Sequence, residues 1–145
     1  MNADEEKQIS DPKTDEAISK YKKFLELKTG KKIDINQNAE LADSDYLVYY
    51  DDRLSHYLEV KCRRNDFNAF PDTLVPLRKH STAEHYISAT GVKTYFLAYF
   101  GDGVLALLDL TKEPDRIKEQ VARVDRNNDR DIYALYDIKR FTILE

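Results

Sequence analysis

Three charged residues stand where strand geometry could make them act together: Asp45, Glu59 and Lys61. Glu59 and Lys61 lie two apart near the end of an apolar run, 54–62, and Asp45 stands immediately before another, 46–50. Side chains alternate along a strand, so Glu59 and Lys61 share one face while Leu58 and Val60 share the other, where an apolar helix can cover them. Only Asp51, Asp52 and Arg53 lie between the runs, short enough for an antiparallel hairpin that brings the start of the first strand beside the end of the second. Asp45 and Glu59 then converge. Two carboxylates together attract a hard cation. Magnesium, or manganese in its place, takes a few carboxylate oxygens plus waters and polarises a phosphoryl oxygen, with Lys61 placed to activate a water or stabilise developing negative charge.

The elements that would position these residues can be read along the chain. Ala17, Ile18, Tyr21, Phe24 and Leu25 recur at three- and four-residue spacing, which predicts a helix over 15–28, capped by Asp11 or Thr14 and ended by Gly30. A short strand is expected at 32–35, with a turn at 36–38, before the two aromatic and β-branched strands of the hairpin. Residues 65–71 form a loop. A second helix follows, with Ser81 and Glu84 as a capping box or Pro76 starting it a turn earlier, and Gly91 closing it. Runs at 94–100 and 104–110 are joined by Gly101-Asp102-Gly103, a hairpin turn rather than a phosphate loop, because a hairpin lacks the helix N-terminus such loops use. Pro114 is expected to open a third helix with an Ile117, Val121 and Val124 stripe, followed by a last strand at 132–136. The acidic stretch 1–13 is expected as a flexible tail on a single domain, 14–145.

Asp45-Tyr-Leu-Val followed by Leu58-Glu59-Val60-Lys61 resembles the signature of the PD-(D/E)xK nucleases, a superfamily that includes restriction endonucleases, Holliday-junction resolvases and small phage nucleases. Ser44 stands where that signature usually has Pro. The resemblance implies an α/β (α+β) restriction-endonuclease-like fold with an αβββαβ core, a mixed central sheet and flanking helices, to which this chain adds a C-terminal helix and strand. It also implies a magnesium- or manganese-dependent nuclease acting on phosphodiester bonds, with DNA the expected substrate. Asp45 and Glu59 would hold the metal with the carbonyl of Val60, and Lys61 would serve the nucleophile. The family's accessory acid on the first helix matches Glu16, and its accessory base on the second matches Lys79.

Composition sets limits around this reading. The 145 residues carry a net charge of −4, which argues against coating nucleic acid by bulk electrostatics. The charge is unevenly spread: 61–80 holds Lys61, Arg63, Arg64, Arg78 and Lys79 against only Asp66 and Asp72. Arg63, Arg64, Arg78 and Lys79 are therefore the expected phosphate contacts, fixing a backbone without reading its sequence. The lone Cys62 excludes an intrachain disulfide and a cysteine zinc site, and with no run of about 20 apolar residues the chain is expected in a cytoplasm, bacterial or phage-host, with no membrane partner. Paired cuts on a duplex would need a homodimer. His80 and His85, five apart, are expected at the surface or in capping roles.

Two plainer descriptions compete. The E-x-K pattern also occurs at Glu5/Lys7 and Glu26/Lys28, with Asp11/Lys13 its D-x-K counterpart, and a solvated carboxylate–lysine pair on a sheet is worth only about 0.2–1 kcal/mol. At the level of function, the acidic balance also suits a catalytically inactive interaction module that keeps a nuclease fold, as a phage or mobile-element accessory protein would.

Overall fold

The computed structural model describes residues 12–37, 46–121 and 130–144. In chain order the elements are α1 (Pro12–Thr29), β1 (Ile33–Gln37), β2 (Tyr46–Tyr50), β3 (Arg53–Cys62), β4 (Asp72–Pro76), α2 (Leu77–Thr90), β5 (Lys93–Tyr99), β6 (Leu105–Asp109), β7 (Arg116–Val121), β8 (Arg130–Asp137) and β9 (Thr142–Ile143). Proline at the first position of α1 costs no helical hydrogen bond, and Gly30, at φ 68°, ends the helix in the left-handed region. Pro12 and Lys13, assigned to a tail by sequence, belong to this helix, as does Thr14; Asp11, the other expected cap, and the rest of the tail lie outside the described residues.

A six-stranded mixed sheet in the order β1-β2-β3-β5-β6-β9 forms the centre, with β3 and β5 parallel and every other pair antiparallel. The β2–β3 hairpin turns on Asp51 and Asp52, both at positive φ (49° and 67°), the combination that matches strand twist in a two-residue loop. Asp51 holds its conformation by bonding Lys32 twice, backbone N to carbonyl at 2.9 Å and Oδ1 from the amide at 3.0 Å.

Alternation on the central strands builds two cores, one on each face. Leu58, Leu97 and Leu105 meet Ala17, Tyr21 and Leu25 of α1, with Val60 and Cys62 packed at the margin. Phe96, Ala98, Ala106 and Leu108 face the other way, onto Ala83 of α2 and Val75, Ala134 and Tyr136. Those last three belong to a second sheet, β4-β8-β7, that sequence reading did not anticipate. Within the loop at 65–71, Phe67 is buried edge-on against Phe100, ring centroids 5.3 Å apart, and so helps join the layers.

Further sequence expectations need correction. The stretch from Pro114 is a strand, β7, paired antiparallel with β8, and not a helix. Ile117 and Val121 are four apart, a spacing that fits both one helical turn and two strand repeats, and it is the pairing with β8, the next strand along the chain, that decides between them. Of the two starts expected for the second helix, the earlier is observed: α2 begins at Leu77 with Pro76 as its boundary residue, so Ser81 is not its cap. Asn36 and Gln37, expected in a turn, extend β1 opposite Leu47 and Tyr46. The boundaries of β1, β2, β3, β5, β6 and β8 and of both helices fall within a few residues of expectation, while β4 and β9 were not expected. No helix among the described residues is long and apolar enough to cross a membrane.

The β5–β6 hairpin turn is tied to the end of β3. The amide of Gly101 donates to the carbonyl of Asn65 at 2.9 Å, and a Cβ placed on Gly101 would lie 2.2 Å from the carbonyl oxygen of Arg64. Backbone cannot step aside as a flexible side chain can. Gly101→Ala is therefore expected to destabilise the protein by about 1–3 kcal/mol, the usual cost of overpacking, read as a lower urea midpoint at unchanged m.

Candidate functional site

Beyond the pairing with β2, which reaches Leu58 at Tyr46, strand β3 runs on beside β5 alone among the described residues, with Glu59 opposite Phe96 and Lys61 opposite Ala98. Its outward-alternating side chains open onto a cleft of about 450 Å³ between this sheet, β4 and the start of α2. Glu59, Val60, Lys61, Arg63, Arg78 and Lys79 all line it, with Leu74, Pro76 and Tyr133 supplying apolar wall from the second sheet. Glu59 is only 6% exposed, and its Oε1 accepts a hydrogen bond from Nζ of Lys79 at 3.1 Å. A carboxylate so buried needs a partner, and Lys79 supplies one. Lys61 and Arg78 are exposed, so their charges face solvent in the cleft mouth. One carboxylate stands against four cationic groups among the described lining residues, a positive pocket in a chain of net charge −4.

Arg63 is used differently from Arg78. Its Nη2 donates to the carbonyl of Leu74 at 2.9 Å, tying the end of β3 to β4, and its amide donates to Tyr99 at 2.8 Å. Burial lowers the guanidinium from the usual arginine value, with nearby Tyr133 acting in the opposite direction. Its Nε is buried without a hydrogen-bond partner. Arg64 is exposed and lines a neighbouring depression with Lys13, Tyr99 and Gly101. Glu16 is exposed on α1, and no residue of that helix lines the cleft. Asp45 lies outside the described residues.

Two histidines change the picture drawn from sequence. His80, expected at the surface or as a cap, is 3% exposed. Its Nδ1 lies 2.7 Å from the carbonyl of Leu110, a partner distant in sequence that spacing along the chain cannot reveal. His56 carried no sequence signal and is buried under α1, with Nε2 2.8 Å from the Tyr21 hydroxyl and Nδ1 2.9 Å from Oγ of Ser55. Tyr21, Tyr50 and Tyr95 meet its ring edge-on, and burial pushes its pKa down to about 4. Tyr133 and Leu74 were also missed as cleft residues. A short Thr-Leu-Val run at 73–75 was the available signal, masked by Pro71 and Pro76.

A mixed sheet with one helix on each face, whose central strand delivers an E-x-K pair into a cationic cleft, defines a restriction-endonuclease-like fold. The chain matches the family model described as phage putative PDDEXK endonuclease over residues 6–143, nearly its whole length, and it belongs to that family. Among curated proteins none matches it.

Proposed function

We propose that the cleft is the active site of a magnesium- or manganese-dependent nuclease that hydrolyses phosphodiester bonds of DNA. The observation that carries this reading is the projection of Glu59 and Lys61 from one strand face into a single cationic cleft with Lys79. Glu59 offers hard carboxylate oxygen at the cleft wall, the donor chemistry that magnesium prefers, so the residues fit the ion. Tyr46 pairs with Leu58, and extending that ladder by one step would set Asp45 against Glu59. Asp45, Glu59 and the carbonyl of Val60 would then hold the ion. When bound, the ion supplies Lewis-acid polarisation of a phosphoryl oxygen and neutralises charge on the phosphate.

The remaining work falls to the chain's own cations. Lys61, exposed and on the same face as Glu59, orients the attacking water and stabilises charge developing on the phosphate. Arg78 and Lys79 hold the phosphate, Lys79 exchanging its bond to Glu59 for one to the substrate. Arg64 meets the backbone further along, and Arg63 contributes its charge from the cleft floor while bracing β4. Supercoiled plasmid incubated with magnesium or manganese is expected to give nicked or linear products, and a chelator is expected to abolish them. Intact plasmid with either metal, together with no heat on magnesium titration, would overturn the reading and leave a nuclease-fold interaction module.

A further inference from the structure

Away from the cleft, α2 presents a second chemically unusual group. His80, Glu84 and Glu113 bring three ligand atoms within 4.8 Å of one another. The two glutamates are exposed and the histidine is buried, so the cluster is more than a solvated acidic patch. His80 Nδ1 faces the carbonyl of Leu110 at 2.7 Å. A carbonyl only accepts, so Nδ1 carries the proton and the hydroxyl of Tyr136, 3.0 Å from the same nitrogen, is a secondary neighbour. In neutral imidazole the lone pair is then on Nε2. That nitrogen is sealed from solvent and makes no aligned hydrogen bond, yet Oε1 of Glu84 lies 2.5 Å away. Two lone pairs at that separation repel unless a proton or a metal cation lies between them.

The geometry points to a metal-binding site formed by His80, Glu84 and Glu113, suited to a transition divalent ion and best to zinc. The donor set supports that choice: one imidazole nitrogen and two carboxylates suit zinc, whereas magnesium prefers oxygen throughout. Orientation supports it as well, since a ligating histidine usually donates its other ring N–H to a carbonyl, as His80 does to Leu110. Donors around tetrahedral zinc lie about 3.3 Å apart for bonds of about 2.0 Å, so the exposed glutamate side chains need only small rotamer adjustments. Arg140 fixes the third ligand's segment by donating to the carbonyl of Glu113 at 2.5 Å and to Asp115 at 3.3 Å. The ion would clamp α2 to the connection between β6 and β7, where the two sheets meet.

The test is calorimetric titration of the full chain with zinc alone, in a Glu59→Gln background that removes the described carboxylate of the cleft. One zinc per chain is expected, with affinity falling at least tenfold when Glu84→Gln and Glu113→Gln are added. Both are surface changes, which avoids emptying the buried His80 position. Zinc should also raise the melting temperature of the Glu59→Gln protein and not of the triple variant. X-ray absorption of the zinc-loaded Glu59→Gln protein should show one imidazole in the coordination shell. Equal affinity with and without the two glutamates, no zinc binding, or an all-oxygen shell would each overturn the site, leaving His80 and Glu84 as a charged pair only.

Discussion

Lys61→Ala is expected to lower the rate of metal-dependent DNA cleavage by about 10²–10⁴-fold, the range for losing a group that transfers or orients a proton in the transition state, and Asp45→Ala, which removes a carboxylate proposed to hold the ion, is expected to abolish it. The fall should appear in kcat in single-turnover assays, with far-ultraviolet circular dichroism unchanged. Lys61 is the cleaner probe. It is exposed, so its truncation should cost stability within about 0.5 kcal/mol, and lost activity cannot be blamed on lost fold. Glu59→Gln is a poorer choice for this purpose, because Glu59 is buried and neutralises Lys79. Full activity in Lys61→Ala would remove the E-x-K pair from the chemistry.

The second large effect is on acid stability. His56 is neutral in the fold with its pKa pushed down to about 4, against about 6.5 in an unfolded chain. Between those values the unfolded chain binds the proton and the folded one does not, so stability is full above about pH 6.5 and falls as pH drops towards 4. Up to about 3 kcal/mol is expected to be lost across that window. Urea unfolding of the parent and of His56→Gln at several pH values checks it. The variant starts less stable, and its stability should change less between pH 6.5 and 4.5; parallel curves would assign the acid sensitivity to other groups.

What could be read from sequence follows the range of the interactions involved. The Leu58-Glu59-Val60-Lys61 alternation places Leu58 in the α1-side core with Val60 at its margin and turns the side chains of Glu59 and Lys61 to the opposite face, and that pattern is local to one strand. The hairpins at Asp51-Asp52 and Gly101-Asp102-Gly103 are local too. The second sheet was not legible, because β4 is a five-residue strand between prolines and its partner β8 lies some sixty residues onward. For β7 the obstacle was different: β8 follows it directly, but the Ile117–Val121 spacing alone fits helix and strand equally. His80 looked unremarkable because the two groups that face its Nδ1, the carbonyl of Leu110 and the hydroxyl of Tyr136, lie thirty or more residues away along the chain.

The parallel pairing of β3 with β5 governs when the site can exist during synthesis. Parallel neighbours require a long crossover, here the whole chain from Cys62 to Lys93, with β4 and α2 inside it. Contacts of such sequence separation form late, after loop closure has been overcome. A nascent chain that has exposed Glu59 and Lys61 therefore has no β5 beside them and no Lys79 across from them until α2 and β5 emerge. The cleft is thus a product of completed folding rather than of the E-x-K strand, and a ribosome-bound fragment ending before residue 93 lacks a wall of the cleft that would hold a substrate.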